Sequence, residues 1–408
     1  MRISTSMMFD TGTQNMQQLQ SGLYKLQNQM STGRNILTPS DDPVAAAQAL
    51  VISQRQSVNT QFIDNQGNAD SRLANLESSL GGVSDLLQSV KTRAVEAGNG
   101  AYSDSDRKAI AAEIRQRFDE LMGLANSTDA MGNYVFSGYR SGTQPFSATG
   151  TPGSRTTDYQ GDGGKQQLQV ATGRVMDVSE SGSDVFMSVP QGNGQYTFTA
   201  GAGNTGTGVV GATSVVSGYA GSSYQLVFTA PNTYDLTVTT AGSPPTTIPN
   251  LTYTSGEAIT LGPAGQTFNI SITGTPAALD KFDIKPATNQ DIFKTLDSMI
   301  KALEGNVSSS PVSRAAFQNQ MVTISENLDQ ALDHISGKQT SIGARRLELE
   351  SLGNLAADQK LQDQTDLSKL QDLDYTKATS DMANQKMVLE AAQLSFKQVS
   401  QLSLFTYL

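Results

Sequence analysis

The chain has 408 residues, of which 16% are charged and 6% aromatic, and it contains neither tryptophan nor cysteine. Its net charge of −10 is spread without a basic cluster, which argues against nucleic acid and anionic membranes as partners. The lack of cysteine excludes disulfides, thiolate metal sites and thiol catalysis. No apolar run reaches the roughly 18 residues of a membrane span, and the start of the chain lacks the apolar core of a cleavable secretory signal.

The first predicted element is a helix with one narrow apolar stripe. Apolar residues recur at steps of three and four in Met16, Leu19, Leu23, Leu26 and Met30. This heptad spacing predicts a helix whose stripe must be covered by another helix. Pro39 is predicted to end the segment, because the residue before a proline is pushed out of the helical region. Burial of five apolar side chains offsets little of the conformational entropy lost when the backbone is ordered. We therefore expect the segment to be disordered in the isolated subunit and to fold when neighbouring subunits cover it.

A much longer helix is predicted to begin at Pro43. The paired carboxylates Asp41 and Asp42 are compatible with acid–base work or cation binding, but their place before Pro43 favours helix capping. An apolar seam then continues for about 80 Å at 1.5 Å per residue. Its members are Val58, Phe62, Ala69, Leu76, Leu80, Val83, Leu87, Val90, Ala94 and Ala97.

A third helix is predicted after a short break. The sequence GNG at 98–100 interrupts the seam. Ser103 with Asp106 three residues later resembles a capping box, with aspartate in place of glutamate or glutamine. The helix is expected to extend through Leu124.

The middle of the chain, 141–286, has a different composition. It holds ten of the 13 prolines and 22 of the 37 glycines, which suits many tight turns and no long helix. Strand-like runs recur at 195–200, 224–229, 234–240, 267–273 and 281–284. Within one of them, Tyr234, Leu236 and Val238 alternate with polar residues, which indicates a half-buried strand. We predict a compact antiparallel β domain.

Helical seams return after the β-rich segment. One contains Met321, Ile324, Leu328, Ala331, Ile335, Ile342, Leu349 and Leu352. The last contains Tyr375, Ala378, Met382, Leu389, Ala392, Phe396 and Val399, with Gln385 as its one polar member. Apolar residues continue to the end of the chain in Leu402, Leu404 and Phe405, with no charge after Lys397. Such an exposed stripe predicts a packing surface that needs protection before assembly.

These patterns predict an α+β protein. Both termini form an elongated helical bundle or coiled coil, and an antiparallel β domain is inserted between them. We predict terminal coiled-coil segments at 1–42 with 362–408, disordered in the monomer. A helical rod domain is predicted at 43–140 with 287–361, including a small β-hairpin near 132–138. The inserted β-rich domain is predicted at 141–286.

Catalytic chemistry is not indicated by the sequence. His334 is the only histidine, and its place on a polar helix face favours a solvated side chain over a metal ligand. No set of nucleophile, base and orienting group is present, so we predict no enzyme activity and no cofactor or metal.

Local motifs carry a family resemblance. Residues 30–36 (MSTGRNI) and 39–47 (PSDDPVAAA), which include Asp41, Asp42 and Pro43, resemble a stretch shared by hook–filament junction members of the flagellin-related family. Residues 132–138 (GNYVFSG), with Tyr134, Phe136 and Gly138, are similar to that family's hairpin motif. The ending LSLFTYL at 402–408 resembles its C-terminal sequence, with Thr406 replacing an acidic residue. The resemblance covers roughly 1–140 and 287–408.

The resemblance implies a structural adaptor of the bacterial flagellum. Such a protein is secreted through the flagellar type III apparatus without a cleavable signal. It assembles with itself as a ring between the first hook-associated protein (FlgK type) and the flagellin filament. An FlgN-type chaperone is expected to bind the C-terminal helix before export. The implied assembly interface comprises Met16, Leu19, Leu23, Leu26, Met30, Leu389, Phe396, Val399, Leu402, Leu404 and Phe405.

Two other functions remain open at this stage. A flagellin-type filament subunit shares the layout, although Pro43 and the motif at 132–138 count against it. An adhesin displayed on a coiled-coil stalk is the second alternative. Its contact patch would use the β-domain tyrosines, although tyrosines in strand cores are the commoner case: Tyr196, Tyr219, Tyr224, Tyr234 and Tyr253.

Overall fold

A computed structural model of the chain describes residues 5–211, 214–215, 221–263 and 267–401. Six α-helices lie in these ranges: α1 Thr5–Thr32, α2 Pro43–Gly98, α3 Asp104–Ala125, α4 Ile292–Glu304, α5 Pro311–Gln371 and α6 Tyr375–Gln401. Within the described ranges, no helix combines the length and apolar character needed to cross a bilayer.

Fifteen short strands lie between α3 and α4. They are β1 Phe146–Thr149, β2 Thr156–Tyr159, β3 Gln167–Ala171, β4 Arg174–Asp177, β5 Val189–Pro190, β6 Tyr196–Ala200, β7 Val209–Val210, β8 Ser214–Val215, β9 Ser223–Ala230, β10 Thr233–Thr239, β11 Thr246–Thr252, β12 Ala258–Leu261, β13 Phe268–Thr273, β14 Lys281–Pro286 and β15 Asn289–Gln290. All pairings among them are antiparallel. The α+β class, with helical termini and an inserted antiparallel domain, is confirmed.

Two helix starts follow from capping residues that the sequence predicted. Helix α2 begins at Pro43, and Asp42 Oδ1 accepts hydrogen bonds from the backbone N–H groups of Val44 (3.1 Å) and Ala45 (2.9 Å). Helix α3 begins after Ser103, where the capping box with Asp106 is complete. Both capping predictions are confirmed.

The end of α1 differs from the prediction. The helix stops at Thr32, well before Pro39, and Gly33 has a φ of +70°. Glycine reaches this left-handed conformation without the steric cost that a side chain adds, so it ends the helix first.

Contacts between residues divide the chain into two compact units. The terminal unit comprises Met1–Gln66 with Ser351–Leu408, and the central unit comprises Gly67–Glu350. The predicted seam of α2 is fully buried from Ala69 to Ala97 in the central unit, whereas Val58 in the terminal unit is exposed. The finer three-part division stays a prediction.

The two larger sheets share one apolar core. A five-stranded sheet has the order β11-β10-β9-β14-β6, and a smaller one joins β12, β13 and β7. Side chains from both sheets share a single buried cluster, as the period-2 pattern of β9 and β10 requires. Four of the five tyrosines considered for an adhesin patch lie in this core: Tyr196, Tyr224, Tyr234 and Tyr253. Tyr219 lies outside the described residues.

A separate aromatic cluster packs the early strands against helices α3 and α4. Phe186, in a π-helical turn at Ser183–Met187, contacts the rings of Phe136, Phe146 and Phe293 at centroid distances of 5.1, 5.3 and 5.9 Å. Phe293 also contacts Phe118 of α3 at 5.9 Å. These rings place 146–187 with the helices, away from the core of the two sheets.

The inserted domain is entered and left at one point. Gln191 N donates to Thr288 O at 3.0 Å, next to the pairing of β5 with β15. We therefore propose that the domain spans 192–287, which begins well after the predicted start at 141 and ends one residue after the predicted end at 286. It is fastened to α5 by side-chain amides: Asn319 bonds the backbone of Gly208 and Val210, and Asn327 accepts from Gly192 N.

Candidate assembly surface

Helices α1 and α6 pair in opposite chain directions. Gly12 faces Phe396, Gly22 faces Gln385, and the Tyr375 hydroxyl donates to Met30 O at 3.1 Å. Where α1 ends, backbone bonds continue the pairing, from Asn35 N to Gln371 O (2.7 Å) and from Leu373 N to Gly33 O (2.9 Å). The two ends of the chain therefore meet along these helices.

The predicted interface residues lie on the facing sides of this pair but are only half covered. Seven of them have described side chains, and all are half-buried: Met16, Leu19, Leu23, Leu26, Met30, Leu389 and Phe396. The side chain of Val399 is not described, and Leu402, Leu404 and Phe405 lie outside the described residues. One partner helix thus leaves part of each described seam side chain in contact with water.

Among its described residues, the terminal unit buries no large apolar side chain. Its fully buried hydrophobic residues are three alanines, Ala49, Ala356 and Ala378. It carries twelve of the nineteen exposed large hydrophobic residues of the described chain, although it is the smaller unit. These are Met7, Tyr24, Val44, Leu50, Val51, Val58, Leu355, Leu361, Tyr375, Met387, Val388 and Leu394. This excess of exposed large apolar side chains over the larger unit favours an interface in the terminal unit.

Polar contacts fix α2 against α5 within the terminal unit. Asn59 Nδ2 donates to Ala356 O at 2.7 Å. The fully buried Asp363 accepts from Arg55 Nε and from Gln359 Nε2, both at 2.9 Å. Burial opposes ionisation of Asp363, but these two hydrogen-bond donors outweigh it, so its pKa lies below the ordinary value. The contact specifies how these two helix segments align.

Asp41 organises the turn that links α1 to α2. Its carboxylate accepts from the backbone N–H groups of Leu37 (3.1 Å) and Thr38 (2.9 Å) and pairs with Lys25 Nζ at 2.6 Å. The hydrogen bond from Lys25 and those from the backbone lower the pKa of Asp41 from 3.8 to about 2. Asp41 and Asp42 are therefore structural, one in the turn and one at the helix cap.

The motif at 132–138 belongs to the central unit. Isolated antiparallel bridges, Thr128 with Tyr134 and Ser137 with Ser181, stand where a small hairpin was predicted. Tyr134 is half-buried, and Phe136 is fully buried in the aromatic cluster.

Gly138 has a φ of +72°, and a Cβ there would lie 2.5 Å from Asp162 O. Only glycine fits that conformation and that gap. The motif is therefore a core feature of the central unit.

Buried charges near α5 were not predicted. Glu180 is 1% exposed and pairs with Lys165 Nζ (2.9 Å) and Arg345 Nη2 (2.8 Å). His334, predicted to be solvated, is half-buried, and its Nε2 donates to Asp184 O at 2.8 Å. The prediction was wrong because the chain after β4 covers this face of α5. No group of three or more potential metal ligands occurs in the part of the chain that the structure describes.

Comparisons of sequence and of structure both match this chain to proteins of the bacterial flagellum. The family model of the bacterial flagellin N-terminal helical region matches residues 3–141. Flagellar hook-associated protein 3 of Salmonella typhimurium is 26% identical over 405 residues, 99% of each chain. The crystal structure of Xanthomonas campestris FlgL is 31% identical, with a TM-score of 0.69 over 78% of this chain and 99% of its own.

The crystal structure of the flagellar junction protein FlgL from Legionella pneumophila is also 31% identical. Its TM-score is 0.70, and the similarity covers 80% of this chain and 100% of that one. Similarity to hook-associated protein 3 thus spans 99% of the chain, whereas the similarity to flagellin of Serratia marcescens, at 34% identity, covers 139 residues, or 33% of the chain.

Proposed function

The chain belongs to the FlgL family of flagellar hook-associated proteins, and we propose that it joins the hook of the bacterial flagellum to the flagellin filament. The observation that carries this function is the terminal unit: its described large apolar side chains are half-buried or exposed, and its buried hydrophobic residues are three alanines on different helices. Such a unit gains its remaining burial from other subunits, as an assembly component does.

The terminal unit is proposed to pack against further copies of the chain in a ring. Each copy offers half-covered seams on α1 and α6, so a neighbouring helix can cover the side that the intrachain partner leaves open. The isolated subunit would keep its folded central unit, and its terminal helices would become stable on assembly. The ring would contact the first hook-associated protein (FlgK type) on one side and flagellin on the other.

An export chaperone of the FlgN type is proposed to cover α6 before assembly. Met387, Val388 and Leu394 are exposed on this helix, and an exposed apolar stripe promotes aggregation in the cytoplasm. Export through the type III apparatus, without a cleavable signal, would follow release from the chaperone. The protein then acts outside the cell as a structural adaptor, with no catalytic role.

The alternatives are less well supported. The similarity over the whole chain is to hook-associated proteins, which favours a junction over a filament subunit. The adhesin hypothesis needs surface tyrosines, and four of its five candidates are buried in the core of the inserted sheets.

Deletion of the gene tests the proposed function. A strain without this chain should build hooks that lack filaments and should release flagellin into the medium, and expression of the intact chain should restore filaments. Full-length filaments on hooks of the deletion strain would contradict the junction function. A strain that makes no flagellin at all would favour the filament-subunit alternative.

A further inference from the structure

Helix α1 contains two internal glycines, which is unexpected in a helix with few anchors. Gly12 and Gly22 lie well inside Thr5–Thr32. Apart from proline, glycine is the least favourable residue in a helix interior, because it has the most backbone freedom to lose. A close approach by another side chain is one reason for a helix to carry glycine.

Gly12 lies under the ring of Phe396. A Cβ built on Gly12 would be 2.9 Å from Phe396 Cδ2 and 3.1 Å from Cε2, closer than a real side chain allows. Phe9 meets the same ring edge-on, with centroids 5.4 Å apart and planes at 89°. The ring of Phe396 therefore packs against the backbone of α1 at Gly12, and Phe9 contacts the ring from one side.

Gly22 receives a second side chain from α6, with more room. A Cβ on Gly22 would lie 3.4 Å from Gln385 Oε1, which is ordinary contact. At three other helical glycines no side chain comes close. A Cβ on Gly67 of α2, or on Gly337 or Gly343 of α5, would meet nothing within 4 Å.

We propose that Gly12 is a socket for Phe396 that sets the register of α1 against α6. A shift by one helical turn toward Met16 would place the ring against a side chain where it now meets backbone. The next position without a side chain, Gly22, is ten residues away, or about 15 Å along the helix. An apolar stripe specifies such a shift only weakly, because its layers resemble one another except at Gln385. The contact of Phe396 with Gly12 adds a further position that fixes the register.

The inference deepens the proposed function and rests on it, because register matters only if the two ends of the chain pair in the assembly. It assigns Gly12 and Phe396 a specificity role within the interface. Neighbouring copies can form equivalent contacts only if all copies align α1 and α6 in the same way.

The test uses full-length variants expressed in the deletion strain. Gly12→Ala should be exported in normal amount, keep the main unfolding transition of the purified protein, and yet shed flagellin as the deletion strain does. Gly67→Ala and Gly337→Ala should support normal filaments, because each position has open space for a methyl group and alanine favours the helix. The double variant Gly12→Ala with Phe396→Leu, whose smaller side chain makes room, should regain filaments that Gly12→Ala lacks.

Two results would overturn the socket. One is normal filament growth with Gly12→Ala, equal to that with Gly67→Ala. The other is a double variant that does no better than Gly12→Ala alone. If the uncomplemented deletion strain still lacks filaments, either result refutes the role of Gly12 in setting the register but does not contradict the junction function. Filaments on the uncomplemented deletion strain would remove both.

Discussion

Truncation of Phe136 should strongly destabilise the central unit. The ring is 0% exposed and meets Phe186 edge-on, at a centroid distance of 5.1 Å and an interplanar angle of 85°. Replacing a buried phenylalanine by alanine costs about 3–5 kcal/mol through lost transfer energy and the cavity that remains. The ring contact adds to that loss. We therefore expect Phe136→Ala to lower the free energy of unfolding by about 4–5 kcal/mol.

Urea unfolding of the purified full-length chain, followed by circular dichroism, measures this change. The slope of the main transition should stay the same while its midpoint falls, since stability changes and the exposed surface does not. Tyr139→Ala is the matched control in the same segment, because Tyr139 is 67% exposed, and it should change stability by no more than about 0.5 kcal/mol. A loss below about 1 kcal/mol for Phe136→Ala would refute the assignment of this motif to a packed core.

Three further predictions concern the α1–α6 pair, the turn before α2 and the base of the inserted domain. Phe396→Ala should change the free energy of unfolding in the main urea transition by no more than about 0.5 kcal/mol, because the Phe396 ring packs in the terminal unit. The same variant should release flagellin, and a large fall in stability would contradict this prediction. In the assembled protein, where α1 is ordered, the pKa of Asp41, about 2, should rise toward 3.8 in Lys25→Ala when followed by solid-state NMR. The contribution of Asp41 to stability is present above pH 4 and is lost as the pH falls through about 2, and an unchanged pKa would refute the pairing. Replacing 192–287 by an Asn-Gly turn should join β5 and β15 in a hairpin and keep the protein folded and exported. Removing 145–285 instead should unfold the central unit, because it takes Phe146 and Phe186 out of the aromatic cluster.

Local signals in the sequence were sufficient for most of the elements. The heptad seams identified helices whose stripes are buried from Ala69 to Ala97 in α2 and from Met321 to Leu349 in α5, because a period near 3.5 defines one face regardless of its partner. Ser103 and Asp42 marked helix starts, since capping depends on residues within one turn. Alternation in β10 identified a strand because its polar and apolar faces differ.

Long-range packing explains what the sequence did not reveal. Phe146 and Phe186 lie in a segment of strand-like composition, yet both pack against Phe293 of α4, which no local pattern encodes. The buried Glu180 resembles a surface residue in sequence, because its cationic partners are brought to it by the fold.

The candidate interface was predictable in part. The stripes on α1 and α6 identified which side chains face another helix, but a stripe does not tell how many helices cover it. Gly12 and Gly22 were a usable signal that the sequence reading missed, since glycine inside a helix invites the question of what lies against it.

A cryo-electron microscopy map of the hook–filament boundary, from flagella that carry this chain, will show whether neighbouring copies complete the burial of the terminal unit. We expect a ring of copies in which α1 and α6 of each subunit pair through Gly12 and Phe396. Helices of neighbouring subunits should cover the half-buried seam around Leu19 and Leu389. A boundary that lacks this chain, or a ring in which those seam residues still face solvent, would contradict this expectation.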